Sequence, residues 1–172
     1  MSEPWEETLR EIKQKDMDKN MNLQITSDGV QIEIGTRDLL MRVLMQIGCA
    51  YTIDEEQRIC FTYQGEQLWA EATNDCLYVD VYDTFWESCE LSNLDRVAKL
   101  KQAINTVNLS EVENVFYTIN DEDNVLMVHC KRNFLFIPQI PHIDDYLRSV
   151  FNGLFQCHYA LGSEMTRLEK DA

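Results

Sequence analysis

Residues 143–168 constrain the fold more than any other stretch of the chain. Ile143, Tyr146, Leu147, Val150, Phe151, Leu154, Phe155, His158, Leu161, Met165 and Leu168 recur every three or four residues, so they line one stripe of a single helix. At about 1.5 Å per residue the helix runs roughly 39 Å, too long for one partner helix to cover. A sheet several strands wide can cover it.

The rest of the chain supplies such a sheet. Leu23 and Ile25, then Val30, Ile32 and Ile34, alternate on either side of Ser27-Asp28-Gly29, the pattern of a hairpin. Before them Trp5, Leu9 and Ile12 have the spacing of a short amphipathic helix or arm. Thr36 is placed to cap a helix with the stripe Leu40, Val43, Leu44 and Ile47, and Gly48 to end it. Over residues 51–82 the period becomes two, which predicts an antiparallel meander with turns at residues 54–57, Gln64-Gly65 and Asn74-Asp75.

If the last two turns are two-residue loops, Phe61 faces Leu68, Ile59 faces Ala70, Ala70 faces Val79 and Leu68 faces Val81 on one side. On the other side Cys60 pairs with Trp69, Glu71 with Tyr78, Trp69 with Asp80 and Gln67 with Tyr82. Residues 83–90, with Phe85 and Trp86, read as an irregular link. Ser92 with Asp95 reads as the capping box of a helix striped by Leu94, Val97, Leu100, Ile104 and Val107. A second hairpin follows around residues 120–124, and Pro138 and Pro141 set off the last helix. The expected architecture is α+β: an antiparallel sheet with the long C-terminal helix on one face. Residues 1–34 form an arm and hairpin, and residues 35–172 one domain.

Thirty acidic residues against fifteen basic ones give a formal charge of −15. Such a chain repels phosphate backbones and anionic lipid, so neither nucleic acid nor a membrane surface is an expected partner, whereas a basic protein segment is attracted. No window has the apolar length of a membrane span, and the N-terminus lacks the core of a signal peptide, which predicts a cytoplasmic protein. The six cysteines form no C-x-x-C pair and read as buried, reduced thiols.

No reaction is written in the residues. His129 and Cys130 are strand neighbours pointing to opposite faces and cannot chelate one ion, and His158 reads as a core histidine on its helix stripe. The acidic turn at residues 120–124 is only superficially similar to a calcium loop, because it lacks the central glycine and Lys131 stands where the distal glutamate belongs. No serine or cysteine sits on a sharp glycine-bounded turn, and no glycine loop could cradle phosphate. Asp144 and Asp145 complement the dipole of the last helix. The expectation is a non-enzymatic protein without cofactor or metal.

What remains is the second face of the meander, with Cys60, Thr62, Gln67, Trp69, Glu71, Tyr78, Asp80 and Tyr82. Amphipathic aromatics among acids look like a contact surface for a partner. The alternative is that the N-terminal segment or the Phe85-Trp86 link covers them.

Several stretches carry a family resemblance: Tyr51-Thr52-Ile53-Asp54, Arg58, Phe61-Thr62-Tyr63-Gln64-Gly65-Glu66, Ala103-Ile104-Asn105 with Asn108, Tyr117-Thr118-Ile119, and Pro141 with Asp145-Tyr146-Leu147. Through them the chain resembles the YbjN family of bacterial proteins, labelled as sensory-transduction regulators, and the type III secretion chaperone-like fold. The resemblance implies the order helix, three-strand meander, helix, hairpin, helix. It also implies a domain that tends to dimerise and binds other polypeptides, with no catalytic residues to carry over. The N-terminal hairpin is a departure from the family. The expected function is therefore a protein-binding chaperone-like or regulatory adaptor, sometimes a homodimer, that holds a segment of an unidentified partner on the acidic aromatic face. The alternative is a small ligand-binding regulator or enzyme with a pocket between the last helix and the sheet, drawing on His158 and His129.

Overall fold

Alternation at the start of the described chain produces β1 (Asn22–Thr26) and β2 (Gly29–Glu33), which pair antiparallel in a two-stranded sheet of their own. The computed structural model describes residues 22–26 and 29–170. The helical reading of Trp5, Leu9 and Ile12, and the turn at Ser27-Asp28, lie outside these residues. There follow α1 (Thr36–Gln46), β3 (Tyr51–Ile53), β4 (Ile59–Tyr63), β5 (Glu66–Glu71), β6 (Tyr78–Glu90), α2 (Leu94–Ser110), β7 (Asn114–Asn120), β8 (Val125–Leu135) and α3 (Ile143–Lys170). The six later strands form one antiparallel sheet in the order β3-β4-β5-β6-β8-β7. This is the α+β architecture expected, with its C-terminal helix.

The long stripe folds as the 28-residue α3, with Asp144 and Asp145 in its first turn and Arg167 and Lys170 in its last, each opposing the end of the helix dipole it meets. Leu147, Val150, Phe151, Leu154, Leu161, Met165 and Leu168 are buried, together with Cys157. Phe151 packs 5.1 Å from the rings of both Phe61 and Tyr63. Tyr51, Phe61, Leu68, Asp83, Cys130 and Val115 form one cross-strand row on the face that the helices cover. Every member but Asp83 is the kind of residue such a face selects.

Two helix starts differ from expectation by one residue. Thr36 does not cap α1; the cap is Gly35, whose side supplies no hydrogen bond. Asn74, from the β5–β6 loop, does the work: its Oδ1 accepts from the Asp38 amide and its Nδ2 donates to Asp38 Oδ2, both at 3.1 Å. A Cβ on Gly35 would run into Asn74. Ser92 likewise yields to Asn93, which accepts from the Arg96 amide. Gly48 ends α1 in the left-handed region at φ 86°, as expected.

The β4–β5 register is the expected one, set by Gln64 and Gly65, which both have positive φ as a two-residue hairpin turn demands. The β5–β6 register is not. Leu68 pairs with Asp83, Trp69 with Tyr82, Ala70 with Val81 and Glu71 with Asp80, two residues along from the predicted pairing. The cause is the loop, which runs past Asn74-Asp75 to reach the start of α1. Residues 83–90 are also not a link. They continue β6 along β8, with a bulge between Thr84 and Glu87 where Phe85 takes φ 64°. No helix among the described residues is long and apolar enough to cross a membrane.

Candidate functional site

The face away from the helices carries a cross-strand row made of Thr52, Cys60, Trp69, Tyr82, Lys131 and Asn114. The shifted register is what brings two rings together here. Trp69 and Tyr82 stack with centroids 3.8 Å apart and planes 9° from parallel. The Arg58 guanidinium lies 4.9 Å over Trp69, and the Lys131 ammonium 4.8 Å over Tyr82, so the stack is closed at both ends by a cation.

Acids hold those cations in place. Asp54 accepts from Arg58 Nε at 2.7 Å, and Asp80 meets Lys131 at 3.0 Å and accepts from Asn133 Nδ2 at 2.8 Å. Burial works against the Lys131 charge, but its bonds to Tyr82 and Asp80 outweigh that and raise its pKa. Glu71 accepts from the Tyr82 hydroxyl at 3.4 Å, and Gln67 donates to Thr62 at 2.6 Å. Cys60 lies beside Asp54, and burial together with that carboxylate raises its thiol pKa. Tyr78 stands at the end of the set, 51% exposed.

All the residues singled out on this face are therefore on it, with Cys60 opposite Trp69 as expected and only the β5–β6 partners exchanged. Arg58, expected on this face opposite Glu71, is there, while Lys131 and Asn133 complete the surface from a strand not foreseen beside it. Lys131 and Asn133 belong to β8, and nothing in the alternation of residues 51–82 announces which distant strand lies beside β6. Phe85 and Trp86 do not lie together over the row. Phe85 packs edge-on to His129 at 4.9 Å, whereas Trp86 stacks on His158 at 4.0 Å, on the helix side.

The helix-covered face holds a polar cluster among its apolar residues. Asp83 is 2% exposed, and its Oδ2 lies 2.9 Å from His158 Nε2 without the alignment of a hydrogen bond. The buried Trp86 Nε1 also lacks an acceptor. Nearby Glu113 pairs with Arg132 and lies 3.8 Å from Cys157 Sγ, and a Cβ on Gly153 would strike the Glu113 carboxylate. The bond to Cys157, then burial, push the Cys130 thiol far above its ordinary range, so that thiol stays protonated and inert. An open cleft of about 500 Å³ runs between the β4–β5 turn and α3, with Gln64, Glu66, Asn152, Phe155, Gln156, His158 and Tyr159 around it.

His129 takes no part in that cleft. Its Nδ1 accepts from the Phe85 amide at 3.3 Å, so Nε2 carries the proton and donates to Thr118 Oγ1 at 2.7 Å. Burial lowers its pKa below 6.5. Among the described residues no group of three or more His, Cys, Asp or Glu could hold a metal ion. In the acidic turn, Asn120 Oδ1 accepts from the amides of Glu122 and Asp123, which makes that segment an ordinary side-chain-stabilised turn.

The element order helix, meander, helix, hairpin, helix over an antiparallel sheet is thus the one the sequence resemblance implies, with four meander strands, β3 to β6, in place of three. No family model matches the chain, and no curated protein matches it by sequence. By structure the chain is similar to an uncharacterized protein from Methanothermobacter thermautotrophicus, at 11% identity, with 77% of this chain and 97% of that one covered and a TM-score of 0.51. It is also similar to YbjN from E. coli, described as a candidate transcription regulator, at 12% identity, covering 87% of this chain and 96% of that one with a TM-score of 0.47. The fold is shared with the archaeal protein. At these identities the likeness is one of fold and assigns no activity.

Proposed function

We propose that the chain is a non-enzymatic, cytoplasmic regulatory or adaptor module of chaperone-like type, which holds a basic segment of a partner protein on the face away from its helices. The observation that carries this reading is the Trp69–Tyr82 stack on a face that no described helix covers. Two rings fixed face to face between cations leave the apolar area of their edges toward solvent with little side-chain entropy left to lose. Tyr78 extends that area, while Glu71, Asp80 and Asp54 around it favour a cationic occupant, as does the formal charge of −15. Cys60 and Gln67 complete the contact surface.

The reading includes a second copy of the chain. The outer edge of β7 has seven residues without lysine, proline or bulge, and Leu109 and Val112 stand beside it 90% and 79% exposed. Edges left so unprotected invite pairing. The other edge, β3, has three residues.

Affinity capture from the host, with wild type and the double variant Trp69→Ala/Tyr82→Ala, tests the partner surface, and light scattering on both follows the oligomer. Capture should be lost in the double variant and should weaken with salt in wild type, while the oligomeric state stays the same because the β7 edge is untouched. Undiminished capture by a folded double variant refutes the reading.

A further inference from the structure

The buried carboxylate behind His158 has no role in the surface just described. Asp83 sits in a row of apolar residues, nearly all of its surface is covered, and its Oδ2 receives no hydrogen bond although His158 Nε2 is 2.9 Å away. Buried carboxylate oxygens are ordinarily satisfied, because an unpartnered one forfeits the hydration it had in the unfolded chain. His158, which lies against this oxygen, also lines the open cleft beside α3.

We propose that this cleft binds a small organic cation, an ammonium or guanidinium compound, with Asp83 as the charge that receives it and the His158 ring as the side chain that gives way. The volume of about 500 Å³ is within the range for small-molecule sites. Its walls suit a cation and no anion. Phe155 and Tyr159 line it with aromatic rings, Glu66 adds a carboxylate, and no lysine or arginine lines the cleft. Asn152 Oδ1 accepts from both Tyr63 and Gln64 Nε2, which ties the β4–β5 turn to α3 and fixes the opening between them. A cationic group taking the place of the His158 ring supplies Asp83 Oδ2 with the donor it lacks. This site is separate from the aromatic face, and its test does not depend on that reading.

Calorimetric titration of the full chain with agmatine, with an acetylated and amidated Gly-Arg-Gly peptide, and with succinate decides the matter. Agmatine should bind saturably and succinate should not. Asp83→Asn should weaken agmatine binding about tenfold, since a hydrogen bond to charge is lost. Should that variant fail to fold, the exposed change Tyr159→Ala combined with Glu66→Gln should weaken binding about threefold. Binding of the peptide as well as agmatine identifies an arginine side chain as a source, and binding of agmatine alone identifies a free small-molecule cation; both support the site. Failure of agmatine to saturate, equal binding of succinate, or undiminished affinity in the folded variants overturns it.

Discussion

On the side of the sheet beneath α3, Asp83 and Glu113 are closed off from water, whereas on the other side Asp80 and Glu71 bridge half-exposed neighbours. The same residue types therefore do different things a strand's thickness apart. Beneath the helix Glu113 keeps Arg132 as its partner, without which its carboxylate would face full desolvation. On the open side the acids steady the Arg58 and Lys131 cations at the ends of a ring stack, and each exposed pair contributes little on its own. The covered side should therefore govern stability, and the open side recognition.

That contrast can be broken most directly at Leu154. Its replacement by alanine under the centre of α3 should cost about 3 kcal/mol of unfolding free energy, measured by urea denaturation. A cost no larger than that of Trp69→Ala on the open side would remove the distinction. Gly153→Ala should cost about 2 kcal/mol, because the added methyl displaces the Glu113 carboxylate that pairs with Arg132. A neutral result would mean that Glu113 moves freely, and so is not held by packing.

The smallest effect sharpens the comparison at its exception. His129 belongs to the open side but is 3% exposed, roofed by Phe85 and Phe116. Its folded pKa lies below the ordinary 6.5, so the stability it carries is complete above that value and is lost as pH falls through the lowered one. His129→Gln should flatten the acid-side loss of stability relative to wild type. Identical pH profiles would show that the ring is not shut away.

The reach of the sequence can be judged at single residues. Phe61 opposite Leu68 was legible because Gln64-Gly65 fixes a two-residue turn, and the α3 stripe was legible because its period holds for seven turns. The β5–β6 pairing was not. A slip of two residues leaves every side chain on its own face, so alternation cannot detect it. The bulge at Phe85 and Trp86 interrupts the period of two, and so reads as a loop in the middle of a strand. As for the sites, the residues of the aromatic face, Arg58 among them, could be placed by their alternation, but not Lys131 at the other end of the stack. His158 and Asp83 are 75 positions apart, and their meeting depends on β6 running on under α3, which no local pattern states.

That bulge has a mechanical corollary. Phe85 and Trp86 are covalent neighbours, yet one ring rests on His129 above the sheet and the other on His158 below it. The dipeptide is an axle through the plane of the strands, so the two histidines on opposite surfaces are joined through a single peptide bond.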